Sequence, residues 1–254
     1  MQTKPGNRNV KLIVLYSLLG ICVAAMAYFA YGTISELYVR GQGKAYYASL
    51  SASVQIADPH ESVATPRIRV NFASLAEQIP DIAAWIRCEG IGMDFPVVQG
   101  KDNNYYLSHL PTGEYNYMGA IFLDYRNRLD FSDKNSLVYG HALSSGDMFT
   151  VIKKYMEPTF YNEHPELTLY TPDRDYTIVL FAGYVLDSSI KSEVPPISFA
   201  NEDAFTLFLK EAKRRSTFKS SVEVTADDTL VTLATCAYPS SVYRYVLIGK
   251  LVEF

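Results

Sequence analysis

Thr229–Val252, TLVTLATCAYPSSVYRYVLIGKLV, lies at the C-terminal end of the chain and fixes how the rest is read. Two runs rich in aliphatic, β-branched and aromatic residues, Thr229–Thr235 and Tyr243–Val252, flank Cys236 and the six residues Ala237–Val242, which include Pro239 and a Ser pair. This pattern predicts an antiparallel hairpin. Alternation along the first strand puts Leu230, Thr232, Ala234 and Cys236 on one face, and Val231, Leu233 and Thr235 on the other. Cys236 then stands across from Tyr243 or Arg244 at the open end of the hairpin. A cation within ~4–6 Å of a thiol favours the thiolate, and a guanidinium there can donate to a developing oxyanion. Taken alone, the hairpin is explained more simply by a small buried Cys at a strand end and an Arg capping a sheet edge.

A third group changes the balance. Leu137-Val-Tyr-Gly-His141 reads as a buried strand ending in Gly-His, followed by the polar loop Ala142–Gly146. A strand-end loop on a rigid scaffold is a place from which a side chain can be aimed. Of the other histidines, His60 falls in a lead-in segment and His164 beside Pro165 in a surface turn; His109, in YYLSHLP, is the competitor, with a structural role under a loop as its simpler explanation.

Further strands are expected at Ala84–Arg87, Phe95–Val98, Gly119–Asp124, Ser136–Tyr139, Leu167–Tyr170 and Tyr176–Val185, each bounded by Asn, Asp, Gly or Pro. Asn71 predicts a cap for a short helix Phe72–Gln78, closed by Pro80. Asp147 is expected to cap a helix carrying Phe149, Ile152 and Met156 on one face, ended by Pro158. The clearest helix is Glu202–Arg215: Asn201 precedes it, Phe205, Phe208, Leu209 and Ala212 share one face, and acids open it while bases close it. Many short strands with a few inserted helices indicate a mainly β barrel or sandwich.

Leu12 to Ser35 carries no charged side chain, and LIVLYSLLGICVAAMAYFAYG is long enough, at about 20 apolar residues, to cross a ~30 Å hydrocarbon core. Lys4, Arg8 and Lys11 precede it and Glu36 follows, so the positive-inside rule puts the N-terminus in the cytoplasm and the remainder outside. A cleaved signal peptide is the alternative, since Ala25-Met26-Ala27 loosely fits a cleavage site, but the apolar run outlasts a normal h-region. The expected division is a cytoplasmic tail 1–11, a transmembrane anchor 12–34, an extracytoplasmic lead-in 35–66 with a short helix around Lys44–Ser51, and a catalytic domain 67–254. The formal net charge of −4, with no basic stripe, argues against nucleic acid. Three cysteines, Cys22, Cys88 and Cys236, without clustered spacing exclude a disulfide scaffold or zinc knuckle. Cys22 reads as a residue of the span and Cys88 as a half-buried strand residue.

Thr232-Leu-Ala-Thr-Cys236, with Arg244 eight residues later in Tyr-Arg-Tyr-Val, resembles the sortase TLxTC…R signature. Asn71–Gly100, Asp102–Leu107, Gly119–Asp124, Tyr139-Gly-His141 with Gly146–Phe149, and the helix before the Cys strand are similar to class B members, in one consistent order from about residue 67 to 254. The resemblance implies an eight-stranded sortase β-barrel and a cysteine transpeptidase. Cys236 would attack a Thr carbonyl in a C-terminal sorting signal and form a thioester. An amine from a peptidoglycan precursor, or a pilin Lys, would resolve it. His141 would act as general acid and then base, and Arg244 would bind the substrate backbone or oxyanion. No metal or other cofactor is implied. Asn103, Leu107 and Thr235 match positions that line the substrate groove, though a turn residue and a core residue explain Asn103 and Leu107 equally.

Departures from the class B pattern are Ala234 where Ser is frequent, Ala142 where Asn is common, and Val194-Pro-Pro-Ile197 in place of an aromatic-containing stretch within Ser188–Phe199, the segment expected to set specificity. Asp58-Pro59-His60 is similar to a class C lid motif but lacks the rest of that class. A pilin-polymerising enzyme and a non-catalytic, membrane-tethered peptide-binding barrel remain as alternatives; an L,D-transpeptidase lacks its SHGC stretch here.

Overall fold

The C-terminal hairpin forms two staves of a closed barrel. The computed structural model describes residues 6–57, 68–237 and 242–254, and the side chains of 10–51, 68–235 and 242–254. Its strands are β1 Gln55–Ala57, β2 Ile68–Val70, β3 Ile82–Cys88, β4 Met93–Val98, β5 Ile121–Leu123, β6 Asn135–Ala142, β7 Glu166–Tyr170, β8 Asp175–Asp187, β9 Leu230–Ala237 and β10 Tyr243–Glu253. β1 and β2 pair with each other, while the other eight close in the order β10-β8-β7-β3-β4-β5-β6-β9. Neighbours run antiparallel except β4–β5 and β6–β9, which are parallel. Closure removes the free sheet edges that would otherwise recruit other chains. The fold is the mainly β, eight-stranded barrel with added helices that the sequence led us to expect.

Alternation explains the two sides of the wall. Val231, Leu233 and Leu247 join Val138, Leu169, Ile178 and Leu180 in the barrel interior. Leu230, Ala234, Val246 and Ile248 face outward, under a helix. That helix, Glu202–Arg215, buries Phe205, Leu209 and Ala212, and its cap is the one expected: the Asn201 side chain accepts from the Ala204 N–H. Burial of Phe205 and Leu209 contributes roughly 1.5–3 kcal/mol each. The short helix Phe72–Gln78 is likewise capped by Asn71, and its Leu75 packs with Trp85, Val98 and Phe122.

Three expectations are corrected. The N-terminal helix does not break after the apolar run but continues from Gly6 to Val54. Contacts divide the chain into Met1–Ala45 and Tyr46–Phe254, so the barrel unit starts well before residue 67. The cause is packing: Tyr47 and Leu50 are buried, and the Tyr47 hydroxyl donates to the Gly119 carbonyl at 2.7 Å. Phe149–Met156 forms a 3-10 helix whose cap position is Met148 rather than Asp147, with no side-chain cap hydrogen bond, and the Asp147 carboxylate accepts from the Ser145 hydroxyl at 2.6 Å. Met156 lies partly exposed, off the buried face. Pro158 opens a second short helix, Pro158–Glu163, at whose first position its missing N–H costs nothing. Residues 58–67, including the Asp58-Pro59-His60 motif, lie outside the described residues.

Among the described residues, one helix is long and apolar enough to cross a membrane, and none of its most apolar window is buried. Tyr28, Phe29 and Tyr31 are exposed towards the end of that apolar run, in the manner of aromatic residues at a membrane interface.

Candidate active site

Three adjacent strands bring the expected residues together. β9 lies between β6 and β10, and in the parallel β6–β9 register His141 is the partner of Cys236. The β9–β10 pairing ends at Ala234↔Val246, and Cys236 and Arg244 each lie two residues further along their strands. Arg244 is paired on its other side with Leu186 of β8. The backbone thus sets the three residues at one end of three contiguous strands. The Cys236 side chain and residues 238–241 lie outside the described residues.

Thr235 accounts for the end of the ladder. It is buried, its hydroxyl receives the Tyr245 N–H at 2.9 Å, and it lies 3.3 Å from the Tyr245 carbonyl oxygen. A side chain thereby satisfies backbone groups that the ladder no longer pairs.

His141 is buried at 4% exposure, and its Nε2 lies 2.6 Å from the Leu107 carbonyl oxygen. A carbonyl only accepts, so Nε2 carries the proton and donates, which fixes the ring orientation and the Nε2–H tautomer when the ring is neutral. Gly140, directly before it, sits against Ile121 and Phe149 so closely that a Cβ would lie 2.7 Å from the Phe149 Cγ. The close approach requires glycine.

Along the outer face runs a groove of about 200 Å³, lined by Leu137 and Tyr139 of β6, Thr232, Ala234 and Thr235 of β9, Arg244 and Val246 of β10, and Leu186, Ser188, Val194 and Pro195. Leu137 and Tyr139 step by two towards His141, and Thr232 and Ala234 step by two towards Cys236. Arg244 is half-buried and is the one cation among the described lining residues, which include no carboxylate. A guanidinium can donate hydrogen bonds to carbonyl or anionic oxygens.

Asn103 and Leu107 are placed differently from Thr235: neither is among the described lining residues. The Asn103 amide donates to Asp124 at 2.9 Å and accepts the Tyr125 N–H at 3.1 Å, so both its ends are engaged. Leu107 offers its carbonyl to His141. The competitor His109 is stacked on Tyr105, with ring centroids 4.0 Å apart, and its Nδ1 lies 2.7 Å from the Tyr105 carbonyl oxygen. Burial pushes the Cys88 thiol up, away from the thiolate a nucleophile needs.

The sequence reading missed Asp124, whose carboxylate is wholly buried. It accepts from the Arg126 fork at 2.9 and 2.7 Å, from Asn103, and from the Tyr139 hydroxyl at 3.1 Å. Burial pushes its pKa up, but the Arg126 side chain and backbone N–H and the Asn103 amide outweigh that and leave it below the usual carboxylate range. Its signal was present: one acid closing the apolar run Ala120–Leu123, with an Arg two residues on.

The backbone of a closed mixed barrel sets a Cys, a His and an Arg at the end of three neighbouring strands, beside an apolar groove, and these are residue types that cysteine acyl transfer uses. Sequence comparison gives the family: the sortase domain model matches residues 86–252, and the chain belongs to the sortase family. It is 30% identical to Sortase B of Staphylococcus aureus over 92% of this chain and 94% of that one. It is 33% identical to Sortase B of Listeria monocytogenes over 73% and 75%. A solved S. aureus sortase B–substrate complex superposes with a TM-score of 0.68 at 33% identity, covering 72% of this chain and 84% of that one. The protein is therefore an enzyme of the class B sortase kind, a cysteine transpeptidase.

Proposed function

We propose that Cys236 is the nucleophile, His141 the proton carrier and Arg244 the cation that holds the reacting carbonyl. The Cys236 thiolate, with His141 as the imidazolium, bonds to the carbonyl carbon of a Thr in a C-terminal sorting signal. Arg244 donates to the carbonyl oxygen as it gains charge. The bond from that carbon to the next residue's nitrogen breaks, and His141 gives the leaving amine its proton. An incoming amine then attacks the thioester, returns a proton to His141 and releases the Cys236 thiolate.

The observation that carries this assignment is the His141↔Cys236 register, with Arg244 on the adjoining strand at the mouth of the groove. The sorting signal lies in that groove. This is supported by its apolar walls, by its position beside the three residues, and by the substrate present in the related S. aureus structure. Thr235 shapes the groove floor, while Asn103 and Leu107 act from the loop that holds His141. The acceptor is a cell-wall amine from a peptidoglycan precursor, so the product is an anchored surface protein. Residues 12–34 anchor the chain in the membrane, with 1–11 cytoplasmic and the catalytic unit outside, as the flanking Lys4, Arg8 and Lys11 favour.

The test is a library of quenched sorting-signal peptides offered to the full chain in detergent. The wild type cleaves a subset between Thr and the next residue, and Cys236→Ala cleaves none. Equal cleavage by both would remove the assignment.

A further inference from the structure

The connection from β8 to the Glu202–Arg215 helix supplies one wall of the groove through Ser188, Val194 and Pro195. Connections of this kind are usually the mobile parts of a fold. This one is held at its start by Ser188, whose N–H and hydroxyl both donate to the Val242 carbonyl, at 2.9 and 2.7 Å, and it is tied down at two further points.

The inner tie is Asn135, the first residue of β6, which is completely buried. Its backbone N–H donates to the Ile197 carbonyl at 3.1 Å, and its side-chain Nδ2 donates to the Pro196 carbonyl at 2.9 Å. Its Oδ1 accepts the Thr232 hydroxyl at 2.9 Å, and its own carbonyl accepts from Asn127 Nδ2 at 3.1 Å. Pro195 and Pro196 have no N–H, so only the carbonyls of that pair can fasten it. The side chain must donate to a carbonyl and accept from a hydroxyl at once, which an amide does and an ionised carboxylate cannot.

The outer tie is Glu193. Its Oε2 accepts the Asp187 N–H at 3.0 Å and the Arg215 Nη2 at 2.9 Å. Arg215 also donates to the Val185 carbonyl at 2.7 Å and lies over the Tyr184 ring.

We propose that Asn135 is a positioning residue that fastens the Val194–Pro195 wall to β6 and β9, with Arg215–Glu193 as the weaker outer tie, so that the groove is formed before a peptide arrives. This rests on the groove being where the sorting signal binds. A preformed wall spares the peptide the entropy of ordering that segment. Asn135 lies six residues before His141 on the same strand, roughly 20 Å along it. Loosening the wall therefore weakens peptide binding and leaves bond breaking alone.

The experiment compares full-length wild type with Asn135→Asp, Asn135→Ser and Arg215→Met in detergent. Amide hydrogen exchange of residues 190–199, read by mass spectrometry, needs no substrate. KM and kcat are measured with a peptide that the wild type cleaves. Asn135→Asp places an acceptor against the Pro196 carbonyl; exchange there is expected to rise at least 10-fold, with KM up about 10-fold and kcat within 3-fold. Asn135→Ser moves the same way, and Arg215→Met by 2- to 3-fold. Unchanged exchange in a folded Asn135 variant, or a fall in kcat at constant KM, overturns the proposal. If neither Asn135 variant folds, Arg215→Met decides: flat exchange and flat KM overturn the tied wall. If the wild type cleaves no peptide, the proposed function fails, while the exchange data still test the tie.

Discussion

Gly140→Ala is expected to damage both stability and catalysis, for a reason that can be traced atom by atom. Gly140 lies in β6 between Tyr139, which lines the groove, and His141. A methyl group there would meet the Ile121 terminal methyl, and the Phe149 ring at 2.7 and 2.8 Å. The Ile121 methyl is the flexible end of a side chain, but Phe149 is fully buried and the atoms met lie near the root of its ring. Either β6 or the Phe149–Met156 helix must shift. Overpacking of this kind costs about 1–3 kcal/mol, which for a domain of this size lowers Tm by roughly 2–12 °C. A strand shift moves His141, and misplacement by ~1 Å costs about 10²-fold in rate. Peptide cleavage should fall about 10- to 100-fold. Gly146→Ala is the control. Its φ is +85°, so an alanine is strained there, yet nothing lies within 4 Å of the added carbon. It should lose about 1–2 kcal/mol from the backbone conformation alone and keep kcat within 3-fold. Thermal melts and peptide kinetics on both variants decide. A Gly140→Ala protein with Tm within about 1 °C and kcat within 2-fold of wild type would refute the tight β6 contact as the device that seats His141.

Asp124 has a depressed pKa in the folded state, so its stabilisation is complete above the unfolded value near ~3.9 and is lost as pH falls through the folded value. Because Arg126 is 53% exposed, Asp124→Asn should cost only about 1–3 kcal/mol at pH 7. The gap from wild type in denaturant melts should shrink towards pH 3, and a gap independent of pH would contradict the charged network. Arg244→Ala should lower kcat/KM by at least 10²-fold, with little rescue by Arg244→Lys, since a point charge does not replace a planar fork. Full activity of the Ala variant would remove Arg244 from the mechanism. His109→Ala should keep kcat within a few-fold, because that ring is committed to Tyr105; loss of activity comparable to His141→Ala would show that the wrong histidine was assigned.

Local chemistry was legible in the sequence wherever one residue does one job. Asn71 and Asn201 cap the helices they were expected to cap, and the alternation in Thr229–Thr235 separates interior from exterior as read. Long-range pairing was not legible. His141 and Cys236 meet through a parallel strand pair between distant segments, and nothing in either segment specifies its partner. Only the order of family motifs joined them. The extent of the N-terminal helix was hidden because Glu36–Val54 has no clear polar face, although Tyr46, Tyr47 and Leu50 already carry the spacing of a buried stripe. Asp147 misled because the helix starts one residue later than an Asp147 cap would place it, which leaves Met148 at the cap position. Asn103 and Asp124 form a network whose members come from two loops, which pattern reasoning along one segment does not join.

The central claim is a thioester on Cys236, and intact-protein mass spectrometry tests it directly. The full chain is incubated with a cleavable sorting-signal peptide in the absence of any acceptor amine and quenched in acid. The predicted result is an added mass equal to the N-terminal peptide fragment less one water, mapped by digestion to the segment containing Cys236, removed by hydroxylamine and absent from Cys236→Ala. An adduct on Cys88, or continued cleavage by Cys236→Ala, would contradict it.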